Sequence, residues 1–312
     1  MWGPGDLNKI GKVARSLTAF AKELGRPRPD ETSTALKIPS IGLALGGGFA
    51  RGLAHIGVIK VFEEEGIPIS FVAGTSVGSV IGAAYCSGMC AKELEEVASL
   101  VRFKTFARWT ISRLGVASND RMAGFLRRVL KCRHFEDLKI PLAVTATDFV
   151  SGDPVVFREG DLIDPVRASC AYPGMFLPVN INGRLLVDGL LAHSVPTVPL
   201  REMGAERVIG VHLSAGWVNM NGPRHVFDVI GQCFSIAQQK MCGIWEAAAD
   251  MIVTPDVRGF SYDGFDRCKE LIASGELVTR AAMPKIKSWL EQATPQPAAQ
   301  QSVQATPLIV RA

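Results

Sequence analysis

The chain is poor in the residues that most often bind metals. Only five histidines occur among 312 residues, and the seven cysteines (Cys86, Cys90, Cys132, Cys170, Cys233, Cys242 and Cys268) are odd in number and scattered. None of the close pairs that a zinc site requires is present, so reduced structural thiols are expected, with neither a metal nor a cofactor. Charge is equally sparse. A formal +4 at pH 7 is too mild for a nucleic-acid binder, which carries a concentrated basic face on a recognisable module. The opening Met1-Trp2-Gly3-Pro4-Gly5-Asp6 lacks the basic-then-apolar order of a secretory leader, and a cytoplasmic location is expected. Nor is there an uninterrupted apolar run of membrane-spanning length. The longest candidate, residues 67–89, is broken by Pro68 and by Gly74, Gly78, Gly82 and Gly88. It reads better as a buried strand, a tight turn and a buried helix.

What is present is an ordinary globular core. Apolar residues make up 47% and charged residues 21%, which excludes disorder for most of the chain. Residues 7–24 carry Ile10, Val13, Leu17, Phe20, Ala21 and Leu24 at helical spacing, and Pro27 and Pro29 then stop the helix. The expected organisation is an N-terminal amphipathic helix and linker over 1–38, a main domain over 39–290 and a disordered polar tail over 291–312. Inside the main domain, apolar runs at 41–45, 69–73, 141–147 and 208–213 alternate with helical patterns at 52–65 and 77–87. That alternation predicts an α/β fold with a mostly parallel sheet covered on both faces.

Two glycine-rich segments fall at strand ends, where functional groups collect in such sheets. Gly74-Thr75-Ser76-Val77-Gly78 joins a predicted strand to a predicted helix, the context of a nucleophile elbow. The glycines allow the sharp turn, and the helix N-terminus favours the negative charge that forms during attack. Gly46-Gly47-Gly48-Phe49-Ala50-Arg51-Gly52 likewise follows a strand and precedes a helix. Its bare backbone N–H groups suit an oxyanion hole built by Gly46, Gly47 and Gly48. A dinucleotide loop fails because Arg51 stands where the third glycine is needed, and no Gly-Lys-Ser/Thr exists for a phosphate-binding loop. Arg51 has three readings: it steadies the loop, attracts phosphate, or makes structural hydrogen bonds.

A serine nucleophile needs a base. His193, His212 and His225 follow in the chain order of a serine triad, whereas His55 lies on the helix after the glycine loop, where a structural role is expected. Asp188-Gly189 is the other source of a base, delivered by Leu185-Leu186-Val187 from a strand end into a turn. From the residues alone this pair is equally a plain β-turn.

Together these segments resemble the patatin-like phospholipase family. The glycine run with Arg51, the elbow around Ser76, the segment Ala168-Ser169-Cys170-Ala171-Tyr172-Pro173-Gly174-Met175-Phe176 and Asp188-Gly189 occur in that family's order and approximate spacing. The resemblance spans about residues 38–213. It implies a three-layer α/β/α fold, a Ser76–Asp188 dyad without histidine, an oxyanion hole from the glycine loop, and hydrolysis of acyl esters of lipids with no metal. Gly74, Gly78 and Gly189 would hold the turns. One departure stands out: after Asp188-Gly189 the family usually has glycine or alanine, and here the residue is Leu190.

Residues 101–133 hold nine Lys/Arg against one acidic residue, Asp120, a local net charge of +8, with Phe103, Phe106, Trp109, Ile111, Leu114, Phe125 and Leu126 among them. The segment reads either as a surface for an anionic membrane or as a lid with a solvated basic face. The N-terminal helix poses the same choice, and a homo-oligomer contact besides. Three functions of different class follow: a lipolytic acyl hydrolase, an acyltransferase of the same fold, and a silent membrane-associated regulatory protein. Thr75 in place of a histidine disfavours the second, and an intact set of Ser76, glycine loop and Asp188 disfavours the third.

Overall fold

The first two strands and the helices after them set the pattern for the domain. β1 (Ile41–Leu45) is buried at every position and feeds, through a single 3-10 turn at Phe49–Leu53, into α1 (Ala54–Glu64). β2 (Phe71–Thr75) then passes through one residue, Ser76, into α2 (Val77–Cys86). Next come α3 (Ala91–Leu100), α4 (Phe103–Phe106), a short hairpin of β3 (Arg108–Trp109) and β4 (Gly115–Ser118), and α5 (Asp120–Val129). β5 (Leu142–Asp148), β6 (Pro154–Phe157), α6 (Ile163–Ser169), β7 (Gly174–Phe176), β8 (Val179–Ile181) and β9 (Arg184–Asp188) follow. The chain closes with α7 (Thr197–Glu202), β10 (Arg207–Val211), α8 (Val226–Met241), α9 (Gly243–Ala247), β11 (Met251–Thr254), α10 (Cys268–Glu291) and β12 (Leu308–Arg311). This computed structural model describes residues 38–110, 112–213, 222–223, 226–291 and 308–311, which belong to one compact unit.

Nine strands form the main sheet, in the order β12-β11-β10-β1-β2-β5-β9-β8 with β6 branching from β5. From β12 to β5 every pairing is parallel, while the pairings β5–β6, β5–β9 and β8–β9 are antiparallel. Because both faces are covered, the central strands are largely apolar, with polar residues gathered at their carboxyl ends (Thr75, Thr145, Thr147), and alternation decides which layer each side chain joins. Leu43, Leu45, Val72 and Val144 enter a large core under α1, α2, α3, α5 and α10. On the opposite face Ala44, Ala73 and Ala143 are small, and α7 and α9 close in with Leu200 and Trp245. The result is three layers, α/β/α.

The structure moves two sequence expectations. The second strand starts at Phe71 rather than Ile69 and runs through Thr75, which confines the turn to Ser76. The sheet is mostly parallel, as expected, with β9 antiparallel to β5. Residues 308–311, expected to belong to a disordered tail, form an edge strand parallel to β11; Leu308-Ile309-Val310 is an apolar, partly β-branched run inside an otherwise polar stretch. The helix expected over 7–24 and residues 292–307 lie outside the described residues. Among the described residues no helix is long and apolar enough to cross a membrane.

Candidate active site

Sheet register brings Ser76 and Asp188 together from 112 residues apart in sequence. Thr75 pairs with Thr145 of β5, and one residue further along β5, Ala146 pairs with Asp188 of β9. Ser76 and Asp188 therefore leave the strands on either side of β5 at one level, and the Ser76 hydroxyl donates to Asp188 Oδ2 at 2.7 Å.

Ser76 has φ 55° and ψ −124°. A non-glycine residue at positive φ costs about 1–3 kcal/mol and persists only where its surroundings fix it. Here they do. Its N–H donates to Ser169 Oγ at 2.8 Å, and its carbonyl accepts from Ser79 N at 2.8 Å and Ser79 Oγ at 2.6 Å. The flanking glycines are dictated by contact: a Cβ on Gly78 would lie 2.1 Å from the Leu45 carbonyl oxygen, and one on Gly74 would lie 2.5 Å from Ser79 Cα. Ser76 stands at the N-terminus of α2, whose dipole favours an anion there.

Asp188 is fully buried. Its Oδ1 accepts from Leu190 N at 3.0 Å, and its carbonyl accepts from Thr147 Oγ1 at 2.9 Å. Burial raises its pKa from 3.8 to about 7, against the smaller lowering effects of the Leu190 and Ser76 hydrogen bonds. Gly189 must be glycine because a Cβ would meet the Thr145 carbonyl at 2.3 Å. Leu190, the departure in the sequence, is accommodated: its side chain is buried with Tyr172, Met175 and Phe176 on the small β3-β4-β7 sheet.

The glycine loop departs from the expected trio of donors. Gly46 N donates to the Val211 carbonyl at 3.1 Å and Gly47 N to the Ser194 carbonyl at 3.2 Å, so both tie the loop to the protein. Gly48 N–H has no acceptor among the described residues. Gly47 still packs on the nucleophile, a Cβ there falling 3.4 Å from Ser76 Cβ. Behind the loop, His55 Nε2 donates to the Gly46 carbonyl at 2.8 Å. Burial holds this imidazole neutral, its pKa lowered to about 4, and its Nδ1 has no partner. Arg51 donates through Nε to the Phe260 carbonyl at 2.9 Å, an anchoring contact on the loop.

Among the described residues no histidine side chain hydrogen-bonds Ser76. His193, half-buried, offers its backbone carbonyl to Thr75 Oγ1 at 2.7 Å, and the ring of His212 lies against Trp245 at 4.9 Å. His225 lies outside the described residues. Ser169 and Thr147 were not singled out in the sequence; Ser169 at least sat inside a quoted motif, whereas Thr147 gave no signal short of strand register.

A chamber of about 850 Å³, partly open to solvent, leads away from Ser76. Val80, Ala98, Phe103, Phe106, Phe125 and Phe265 are among its walls. Three of these aromatics come from the basic segment 101–133, so much of its apolar content turns inward. Trp109 and Leu114 remain outside, 71% and 65% exposed.

The chain is similar to several known proteins. The family model described as patatin-like phospholipase matches residues 43–201, more than half of the chain. An uncharacterized NTE family protein of Mycobacterium tuberculosis is 36% identical over 179 residues, which cover 56% of this chain and 49% of that protein. Lysophospholipase NTE1 of Mycosarcoma maydis is 34% identical over 231 residues, 70% of this chain and 12% of that protein. Patatin-like phospholipase domain-containing protein 6 of Mus musculus is 35% identical over 189 residues, 56% of this chain and 14% of that protein. The chain thus spans about half the length of the first and a small share of the other two. VipD of Legionella pneumophila superposes with a TM-score of 0.48 at 12% identity, over 81% of this chain and 67% of that one. Elbow, glycine loop and Asp-Gly turn all fall within the matched residues, and the chain belongs to the patatin-like phospholipase family.

Proposed function

We propose that this protein is a serine acyl hydrolase that cleaves ester-linked acyl chains from lipids through a Ser76–Asp188 dyad. The observation that carries the reading is the 2.7 Å hydrogen bond from the Ser76 hydroxyl to a buried carboxylate whose pKa is raised to about 7. A carboxylate in water is a poor base for an alcohol; desolvation makes it a better one near neutral pH.

Ser76 Oγ attacks the ester carbonyl carbon as its proton passes to Asp188 Oδ2. The oxyanion forms beside the Gly48 N–H and the N-terminus of α2. Collapse expels the alkoxide of the head group, which takes the proton from Asp188, and leaves an acyl-Ser76 ester. Water then gives its proton to Asp188 while its oxygen attacks the acyl carbon; collapse returns the proton to Ser76 Oγ and releases the fatty acid. The apolar chamber beside Ser76 suits the acyl chain. Relatives named lysophospholipase support a single-chain lipid as substrate. The exposed Trp109 and Leu114 in a strongly basic segment support action at an anionic membrane surface.

The test is labelling by a fluorophosphonate probe together with fatty-acid release from mixed micelles of monoacyl lipid. Wild type labels on Ser76 and releases acid; Ser76→Ala does neither, and Asp188→Asn loses acid release. A wild type that neither labels nor hydrolyses overturns the reading. Transfer of the acyl group to an added alcohol in preference to water would favour the acyltransferase.

A further inference from the structure

Phe49 stands between two chambers, the first of which is lined by the nucleophile. It lines the apolar chamber that contains Ser76, and it also lines a second cavity of about 1040 Å³, partly open to solvent, that begins at Gly47 and Gly48. Its backbone is held at φ 51°, and its ring is edge-on to Tyr172 with centroids 5.0 Å apart. A bulky residue at positive φ persists only where the surroundings fix it. Phe49 is thus a fixed partition.

The chemistry on its two sides differs. The first chamber is walled by aliphatic and aromatic side chains. The second is lined by Ser235, Gln238 and Gln239 of α8, by Ser194, and by Arg51 of the glycine loop. No carboxylate is among the described residues that line it.

We propose that this second chamber is a head-group subsite, selective for anionic, hydroxyl-bearing head groups of the phosphoglycerol type. The inference rests on the hydrolase reading and adds the substrate class. A monoacyl lipid with its ester carbonyl at Ser76 sends its chain and its head in opposite directions from that ester. Phe49 separates the two directions, with the chain in the apolar chamber and the head against α8. Carboxamides and hydroxyls both donate and accept, as a polyol requires. Arg51, whose Nε is held by the Phe260 carbonyl, brings a positive charge to the wall of this chamber. A quaternary ammonium head would find no carboxylate among the described walls.

The experiment compares palmitoyl lysophosphatidylglycerol, palmitoyl lysophosphatidylcholine and monopalmitoylglycerol as substrates of the full chain. The three are diluted in mixed micelles of constant anionic charge, so that surface attraction is equal. The glycerol phospholipid is expected to exceed both others in kcat/KM by at least about tenfold, the scale of one charge-assisted hydrogen bond. Gln238→Leu combined with Gln239→Leu, and independently the milder Ser235→Ala, should draw that ratio toward one. A choline lipid hydrolysed as fast as the glycerol lipid, or a ratio unmoved in Ser235→Ala, overturns the subsite. Equal release from all three leaves the hydrolase reading standing and removes only this one. Release from none removes both.

Discussion

The Ser76 hydroxyl donates to Oδ2 of an Asp188 carboxyl that is fully buried and further held by Leu190 N at Oδ1. Because burial lifts that pKa to about 7, the base form appears only as pH rises through neutrality. We expect kcat/KM to climb with unit slope below about pH 7 and to level above it, checked by a pH–rate profile on a neutral ester. A flat profile from pH 5 to 8 would remove Asp188 as the base.

The same shift makes a stability prediction of definite sign. For a carboxyl whose folded pKa exceeds its unfolded value, the folded state binds more protons in the interval between them, so stability falls as pH rises. The favourable contribution is complete below 3.8 and is lost as pH passes through about 7. Asp188→Asn abolishes this dependence. The variant should gain relative to wild type between pH 4 and 8, by at most about 4 kcal/mol, measured by denaturant unfolding at a series of pH values.

His55 is the positioning residue to test. Its Nε2–H holds the Gly46 carbonyl and thereby the first peptide of the glycine loop, from a site with no exposed surface. In His55→Leu the buried carbonyl loses its donor, which costs about 1–3 kcal/mol of stability. If the loop presents the oxyanion donor, kcat falls by at least about tenfold while KM changes less. Equal loss in kcat and in folded fraction would instead make His55 purely structural. Steady-state kinetics beside thermal unfolding separates the two outcomes.

The acyl chamber predicts chain-length selection. Ala98 of α3 is buried and lines the chamber. Ala98→Phe fills part of it without touching the dyad. Among p-nitrophenyl esters, the optimum should move to shorter chains, with the longest losing at least about tenfold in kcat/KM, since each buried CH₂ contributes about 0.8 kcal/mol. An unchanged chain-length profile would place the acyl chain elsewhere.

Legibility in the sequence followed how local each feature is. The strand, turn and helix around Ser76 could be read because apolar runs and the flanking Gly74 and Gly78 encode them within a few residues. Asp188 showed only as a strand end in an Asp-Gly turn; its place beside Ser76 depends on the register of Ala146 with Asp188 across two strands, which no local pattern carries. The glycine loop was visible, but which of its amides are already engaged was not. The acceptors, Val211 and Ser194, arrive from more than 140 residues away. Segment 101–133 was misleading in part for the same reason. Periodicity marks Phe103, Phe106 and Phe125 as apolar without saying that α2 and α3 supply much of the chamber they line. At the C-terminal end, four residues of edge strand were lost in the average composition of a polar stretch.

What stays outside that chamber frames the last prediction. Trp109 sits on the β3–β4 hairpin with its ring 6.2 Å from Phe103, which lines the acyl chamber. A lipid surface touching Trp109 and Leu114 is therefore next to the wall of the binding site. The nine basic residues of 101–133 give that surface an electrostatic preference for anionic lipid. Binding to vesicles containing phosphatidylglycerol is expected, weakening as salt rises and absent from neutral vesicles. Trp109→Ala combined with Leu114→Ala should weaken it by at least about tenfold, the worth of one large apolar side chain. Arg113→Glu should act separately by weakening binding at low salt and flattening the salt dependence of what remains. Vesicle cosedimentation reads both effects, and binding that is indifferent to these residues would move the membrane contact to another face.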